Sequence, residues 1–164
     1  MEVLKFGGSS VGSSKNIGKV MSILEDYSIK DTVVCVVSAV GGITDKLLKS
    51  GILALQKDKE YIREFETIKN IHFTIFSNLI PSGNEAAEAY LNRELNYLKN
   101  LLDGIYLINE LTPKTSDKLM SFGELLSSFL LTEALKQRGL DAVRKNSQEL
   151  IITNSAFTKA DVNY

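Results

Sequence analysis

The chain has 164 residues, of which 44% are hydrophobic and 24% are charged, as expected for one globular domain with a buried core. Its net charge of −1 excludes the basic surface that nucleic-acid-binding and membrane-surface proteins need, so we expect neither kind of partner. No apolar run is long enough to cross a bilayer, and no signal peptide precedes the first predicted strand. With Cys35 as the single cysteine, we expect a cytoplasmic protein.

Residues 3–10 predict a strand, a glycine-rich loop and the start of a helix. Lys5 lies among the apolar residues of the strand, and the loop contains Gly7, Gly8 and Ser9. Because glycine has no Cβ, an anion can approach the backbone N–H groups of such a loop, at the positive end of the helix dipole. The stretch therefore predicts a phosphate site to which Lys5 adds charge. A plain turn with a surface lysine is the alternative that this stretch alone leaves open.

The next elements extend this start into a strand, helix and strand unit. A P-loop is rejected, because Ser13 occupies the position of its lysine. Ser13 or Ser14 instead caps a helix with inward positions Ile17, Val20, Met21, Leu24 and Tyr27. The β-branched run at 32–37, with Cys35 as a packing residue, predicts a strand covered on both faces. Together these elements predict a parallel α/β sheet.

Residues 38–45 repeat the same arrangement after the second strand. Gly41 and Gly42 form a second glycine pair, and Thr44 is placed to cap a second helix. The apolar positions of that helix are Leu47, Leu48, Ile52 and Leu55. Because the carboxyl ends of parallel strands lie at one edge of a sheet, we expect the two loops to converge in one site. A simple turn followed by a plain helix cap is the alternative.

Two long amphipathic helices are predicted next, at 59–79 and at 85–103, the second closed by Gly104. Their inward positions include Ile62, Phe65, Ile68, Ile75 and Leu79 in the first helix, and Ala89, Leu91, Leu95, Leu98 and Leu102 in the second. His72 is the only histidine and has no cysteine or carboxylate at metal-ligand spacing. We interpret it as a packing residue and predict no metal site built by the protein.

A helix between a cap at Ser116 and a stop at Gly139 is apolar nearly all round, which is typical of a buried central helix. Glu124 should project between Met120 and Leu131, where an unpaired carboxylate is costly, so it meets a cation or takes up a proton. Small residues nearby leave room for an ammonium-bearing ligand. A lysine or arginine of the protein is the alternative partner.

Beyond this helix, residues 142–143 and 150–153 predict two short strands, and 154–164 form a terminal loop. There are no internal repeats, no low-complexity segments and no boundary that would divide the chain into two domains.

Three blocks, at 5–11, 38–48 and 121–124, together resemble aspartokinase, a member of the amino-acid kinase superfamily. The resemblance covers essentially the whole chain, with the blocks in the same order. It implies a three-layer αβα sandwich with a mainly parallel sheet. It also implies transfer of the γ-phosphate of ATP to the β-carboxylate of L-aspartate, giving 4-phospho-L-aspartate, the first step toward lysine, threonine and methionine.

The resemblance implies a role for each motif residue. ATP and phosphate would be bound by Lys5, Gly7, Gly8 and Ser9, with Lys5 as the catalytic group. Aspartate would be bound by Ser38, Thr44, Glu124 and Lys159, with Glu124 receiving its ammonium. Mg²⁺ would arrive with ATP, and catalysis would rest on positioning and charge neutralisation.

The last motif departs from the family pattern. Lys159 stands where the family has an arginine that holds the substrate carboxylate, and Asn163 stands where it has an aspartate that orders the catalytic lysine. A lysine cannot reproduce the two-pronged contact of an arginine with a carboxylate. The opening residues 1–5 favour the bifunctional aspartokinase and homoserine dehydrogenase subgroup.

The resemblance further implies that residues 1–164 are the amino-terminal, substrate-side portion of a catalytic domain, with the nucleotide-binding half and regulatory domains elsewhere. We therefore expect these residues alone to bind aspartate weakly without turnover, and the full-length protein to be a homo-oligomer. One alternative is another amino-acid kinase that acts on N-acetylglutamate, glutamate or a nucleoside monophosphate. The other is a non-catalytic regulatory or assembly module that keeps the fold.

Overall fold

The structure, a computed structural model, describes residues 1–163. Within them the elements in chain order are β1 (Glu2–Phe6), α1 (Ser14–Ser28), β2 (Val33–Val37), α2 (Ile43–Leu55), α3 (Glu60–Leu79), α4 (Glu85–Ile108), α5 (Pro113–Gln137) and α6 (Ser147–Leu150). Across these residues, no helix combines the length and the apolar character needed to cross a membrane.

The predicted strand, helix and strand unit is present. β1 and β2 pair in parallel, with Glu2 opposite Val33 and Phe6 opposite Val37. Ser13 caps α1 by accepting a hydrogen bond from the backbone N–H of Asn16 at 3.2 Å, as predicted. The buried side of α1 consists of Ile17, Val20, Met21 and Leu24. The predicted fold class, α/β with a parallel sheet, is confirmed.

The two faces of the sheet differ. Alternate residues of a strand point to opposite faces, so Leu4 and Cys35 pack against the core while Val3, Val34 and Val36 do not. The latter are 61%, 41% and 48% exposed, so the predicted cover on both faces of β2 is wrong for the described residues. Cys35 is half-buried beside the core, as predicted, and burial raises the pKa of its thiol to about 11.

Helix α5 runs through the middle of the core, as its all-round apolar pattern predicted. Its buried residues are Leu119, Phe122, Gly123, Leu126, Ser127, Phe129, Leu130, Leu131, Ala134 and Leu135. The helix contacts β2 and each of α1, α2, α3 and α4. It therefore links the sheet to the helical layer.

Two predicted helix ends are wrong by four to five residues, slightly more than one turn. Thr112, not Ser116, caps α5, because Thr112 accepts from the N–H of Thr115 and Pro113 fits the first helical position. Gly104 does not end α4, which continues to Ile108, where Asn109 adopts the left-handed conformation of a helix stop.

Some predicted inward positions are also wrong. Ile62, Tyr27, Leu48 and Ile52 are 38–41% exposed, and Ala89 is exposed, so these residues lie outside the buried stripes of their helices. In α2 the buried residues are Ile43, Leu47, Ser50, Gly51 and Ala54.

His72 is fully buried on α3, which confirms its interpretation as a packing residue. Its Nδ1 bonds to the carbonyl oxygen of Ile68 at 2.8 Å, and its Nε2 has no partner among residues 1–163. Since the ring is removed from water, burial lowers the pKa of His72 and favours the neutral form.

The predicted strands at 142–143 and 150–153 are wrong. Residues 141–146 are irregular, residues Ser147–Leu150 form α6, and only Thr153 makes a β-bridge, an antiparallel one to Val162. Val143 and Ile152 are 72% and 68% exposed, because no third strand of the described sheet pairs with them. Tyr164, at the end of the predicted terminal loop, lies outside the described residues.

Candidate active site

The two glycine loops meet at the carboxyl ends of β1 and β2. A Cβ atom on Gly8 would lie 3.2 Å from the carbonyl oxygen of Ala39, and one on Gly41 would lie 3.2 Å from the carbonyl oxygen of Gly8. The N–H of Ser38 also donates to the carbonyl oxygen of Phe6 at 3.0 Å. The predicted convergence of the loops is confirmed, and their role in a ligand site stays a prediction.

The individual glycines of these loops have different surroundings. Gly8 and Gly41 allow the two backbones to approach each other, so their lack of a Cβ is used by the protein itself. Gly7 has no atom within 4 Å of its Cβ position, so the space there is open to a ligand. Ser9 is exposed next to it, and its carbonyl oxygen accepts a hydrogen bond from the Asn16 side chain of α1 at 2.9 Å. The open side of the first loop is therefore at Gly7 and Ser9.

Helix α5 is fastened to the backbone that follows β2. Glu124 Oε1 accepts a hydrogen bond from the N–H of Ala39 at 3.1 Å, and Ser127 Oγ donates to the carbonyl oxygen of Ser38 at 2.8 Å. Gly123 lies so close that a Cβ on it would be 2.7 Å from the Cβ of Ala39. The peptide unit between Ser38 and Ala39 therefore has both its carbonyl oxygen and its N–H hydrogen-bonded to side chains of α5.

Glu124 differs from its predicted environment. It is exposed, so the prediction that it lies enclosed between Met120 and Leu131 is wrong. The side chain turns toward the end of β2, where a backbone N–H satisfies one oxygen, and burial therefore imposes no need for a cation or a proton. Oε2 has no hydrogen bond or ion pair with residues 1–163. The carboxylate is available to a positively charged ligand.

Lys5 lies on the open face of the sheet, opposite Val36 in the strand register. Its side chain is exposed, and its ammonium forms no hydrogen bond or ion pair with residues 1–163. Within those residues the structure does not bring Lys5 into contact with Glu124. Lys5 and Glu124 are both near the carboxyl edge of the sheet: Lys5 is in β1, which ends just before Gly7, and Glu124 binds Ala39, which follows the end of β2.

Thr44 and Lys159 lie on two other segments, and no hydrogen bond or ion pair joins either side chain to the glycine loops or Glu124 within residues 1–163. Gly42, with φ of 77°, precedes α2, so Thr44 is an exposed residue of the first helical turn and not the predicted cap. Lys159 is exposed on the segment after α6. The neighbouring N–H of Thr158 donates to Asp117 Oδ2 of α5 at 2.7 Å.

Sequence reasoning missed Asp117 and Ser127 as site residues. Both lie within seven positions of Glu124 on the same helix, and Asp117 precedes it by two turns, on the same side. That spacing is the signal from which Asp117 could have been found. Ser127, three positions after Glu124, was interpreted only as one of the small residues beside it. Its bond to Ser38 could not be predicted, since the two are 89 residues apart in sequence.

A cavity of about 770 Å³ lies elsewhere, between α1, β2, α5 and residues 139–145. It is lined by side chains that point from β2 toward the helices, such as Cys35 and Val37, and it contains none of the predicted site residues. In addition, no group of three His, Cys, Asp or Glu side chains in residues 1–163 is arranged to hold a metal ion. The candidate site is placed at the loop edge of the sheet because the two glycine loops and Glu124 meet there.

The proteins to which this chain is similar include plant aspartokinases. Aspartokinase 2, chloroplastic, from Arabidopsis thaliana is 36% identical over 98% of this chain, which covers 29% of that relative. The maize bifunctional aspartokinase/homoserine dehydrogenase 1, chloroplastic, is 30% identical over 99% of the chain, which covers 18% of it. The chain thus spans less than a third of the length of these relatives.

Among solved structures, Escherichia coli aspartokinase III in complex with aspartate and ADP superposes with a TM-score of 0.86 at 26% identity. The match covers 99% of this chain and 35% of that one. The family model described as the amino acid kinase family matches residues 1–161. The chain therefore belongs to the amino acid kinase family.

Proposed function

We propose that this chain forms the substrate side of an aspartate kinase, which transfers the γ-phosphate of ATP to the β-carboxylate of L-aspartate. The observation that carries the proposal is the attachment of Glu124 and Ser127 to the peptide unit at the end of β2. It places a free carboxylate oxygen beside the glycine loops. The aspartokinase relatives, and the solved neighbour that holds aspartate and ADP, support the choice of substrates.

In this reaction an oxygen of the aspartate β-carboxylate forms a bond to the γ-phosphorus, and the bond from that phosphorus to the oxygen bridging to ADP breaks. The products are ADP and 4-phospho-L-aspartate, and no proton needs to be transferred. Two anions must approach each other, so the protein's task is to position them and to neutralise charge. A histidine is not required as an acid or base.

The phosphate end of the site is proposed to consist of Lys5, Gly7, Gly8 and Ser9. Lys5 is uncommitted among the described residues, so its ammonium is available for the transferring phosphoryl group. Gly7 has open space at its Cβ position, through which phosphate oxygens can reach backbone N–H groups. Mg²⁺ is proposed to arrive bound to ATP and to offset further negative charge.

The aspartate end is proposed to consist of Ser38, Thr44, Glu124 and Lys159. Glu124 would bind the ammonium of aspartate through Oε2 while Oε1 stays bonded to Ala39. Lys159 would meet a substrate carboxylate, and Ser38 and Thr44 would line the pocket between them. We further propose, as the sequence indicated, that residues 1–164 are the substrate-side portion of the catalytic domain.

Hydroxylamine trapping tests the reaction, because it converts an acyl phosphate into a coloured hydroxamate. We expect the intact protein, given ATP, Mg²⁺ and L-aspartate, to form this product. Lys5→Ala should lower kcat about a hundredfold or more, the usual effect of removing a group that stabilises transition-state charge. Lys19→Ala, which removes an exposed lysine of α1, is the matched control and should have no effect. Equal activity in the two variants would contradict the proposal, and would favour a non-catalytic module.

Glu124→Gln tests how the substrate is recognised. Glutamine keeps an oxygen that can accept from Ala39 but removes the negative charge. We expect the KM for L-aspartate to rise about tenfold or more, since a hydrogen bond between charged groups is lost. Turnover of an N-acetylated substrate, if any is measurable, should be unchanged. Preference of the wild type for N-acetylglutamate, glutamate or a nucleoside monophosphate would show that the substrate is assigned wrongly.

A further inference from the structure

The segment that carries Lys159 is a closed loop. Asn154 Oδ1 accepts hydrogen bonds from the N–H groups of Ala156 at 3.1 Å and Asp161 at 3.2 Å. The N–H of Asn154 donates to the carbonyl oxygen of Asp161 at 3.0 Å, and Thr153 bridges to Val162. Residues 154–161 thus hold their own shape. Their position relative to the rest of the protein must come from other contacts.

The contact to α5 is made by Asp117. Its Oδ2 accepts a hydrogen bond from the N–H of Thr158 at 2.7 Å, a short bond to an ionised acceptor. Nearby, the ammonium of Lys114 lies 5.8 Å from the centre of the Phe157 ring, a weaker cation–π contact. The carboxylate of Asp117 is therefore the strongest direct contact that these residues show between the loop and the helix.

Thr158 has an unusual backbone conformation at the point where Asp117 binds. Its φ is 70°, in the left-handed region that a β-branched residue rarely adopts. Such a conformation is unfavourable and persists only where surrounding contacts hold it. The next residue is Lys159, so the direction in which Lys159 leaves the backbone depends on this turn.

Helix α5 connects this turn to the other end of the candidate pocket. Asp117 and Glu124 are seven residues apart, so they lie on one side of the helix, about 10 Å apart along its axis. Glu124 holds the end of β2, and Asp117 holds the loop. A single rigid helix therefore fixes the separation between the group proposed to bind the substrate ammonium and the lysine proposed to bind a substrate carboxylate.

We propose that Asp117 is a positioning residue for aspartate binding. It holds the turn at Thr158 against α5 and thereby sets the position of Lys159. The proposal rests on the proposed function, because it assumes that Lys159 meets a carboxylate of the substrate. Asp117 itself need not touch the substrate, and its effect should be confined to the affinity for aspartate.

Steady-state kinetics of the intact protein tests this role. Asp117→Ala should raise the KM for L-aspartate about tenfold, while the KM for ATP and the kcat stay within about twofold. Asp117→Asn keeps an acceptor oxygen for the Thr158 N–H and should restore most of the affinity. Asp26→Ala, which removes an exposed aspartate of α1, is the control and should leave both KM values unchanged.

A double-mutant cycle shows whether Asp117 acts through Lys159. If it does, Asp117→Ala should have little further effect on the KM for aspartate in a Lys159→Ala background. Additive effects, an unchanged KM in Asp117→Ala, or an equal rise of both KM values would each overturn the inference. These outcomes differ from failure of the proposed function, in which the wild type itself would form no hydroxamate with aspartate.

Discussion

Gly123 gives the most direct test of how closely α5 packs against the end of β2. A Cβ added by Gly123→Ala would lie 2.7 Å from the Cβ of Ala39 and 3.6 Å from Leu47 Cδ1. Carbon atoms in contact prefer about 3.5–4.0 Å, so the helix or the loop has to move. The Cβ of Ala39 is fixed to the backbone and cannot rotate away. The new methyl group must therefore disturb the segment that contains Ser38.

The size of the effect follows from two opposing terms. Overpacking of this kind costs about 1–3 kcal/mol, whereas replacing a helical glycine by alanine stabilises by up to about 1 kcal/mol. Gly104→Ala in α4 shows the stabilising term alone, because no atom lies within 4 Å of the Cβ position of Gly104 and the new methyl group cannot collide. We expect Gly104→Ala to raise the free energy of unfolding, and Gly123→Ala to lie about 1–3 kcal/mol below that variant.

Urea unfolding of the intact protein, followed by circular dichroism, measures both variants on the same scale. The midpoints should differ while the slopes agree, since neither substitution changes the surface exposed on unfolding by much. Kinetics provides a second measurement: Gly123→Ala should raise the KM for aspartate, and Gly104→Ala should not. If Gly123→Ala were as stable as Gly104→Ala, the close approach of α5 to Ala39 would be refuted.

Three further predictions follow from single contacts. Ser127→Ala removes the hydroxyl that donates to the carbonyl oxygen of Ser38 at 2.8 Å, so the free energy of unfolding should fall by about 1–3 kcal/mol. An unchanged urea midpoint would contradict that hydrogen bond. Because burial lowers the pKa of His72, the unfolded state takes up a proton below about pH 6.5 while the folded state does not, so the free energy of unfolding should fall as the pH drops through this range. His72→Met should show a smaller fall between about pH 7 and 5. An identical fall in the variant would contradict the neutral, buried state of His72. In Thr158→Gly the backbone N–H can still bond to Asp117, and glycine adopts a φ of 70° without strain, so the Tm should rise slightly. A clear fall in Tm would show that Thr158 is not strained.

The start of the fold could be predicted because its signals are local. Ser13 caps α1, the apolar positions of α1 recur at helical spacing, and a strand lies on either side of it. Two parallel strands then require their carboxyl ends to share an edge, so the meeting of the glycine loops followed from the order of elements alone. His72 was assigned correctly for the same reason, since it lies on an apolar stripe with no ligand at metal spacing.

Predictions failed where two local signals competed or where a distant partner decided. Thr112 and Ser116 are both good caps, and the prediction chose Ser116 although Pro113, directly after Thr112, favours the earlier start. The β-branched run at 150–153 has strand character, but a strand needs a neighbour to bond with, and only Thr153 has one among the described residues. Glu124 was predicted to be enclosed because α5 is apolar nearly all round. The N–H that it binds belongs to Ala39, 85 residues earlier, and a local pattern does not reveal such a partner.

These long-range contacts explain why packing and binding should be linked in this chain. Asp117, Gly123, Glu124 and Ser127 lie within eleven consecutive positions of α5, and each one contacts a backbone segment or would collide with it if enlarged. A small rotation of α5 about its axis would therefore move the strand end and the Thr158 turn together. Substitutions on this side of α5 should change the KM for aspartate even where they touch no substrate, whereas an exposed change on α4 should alter stability alone.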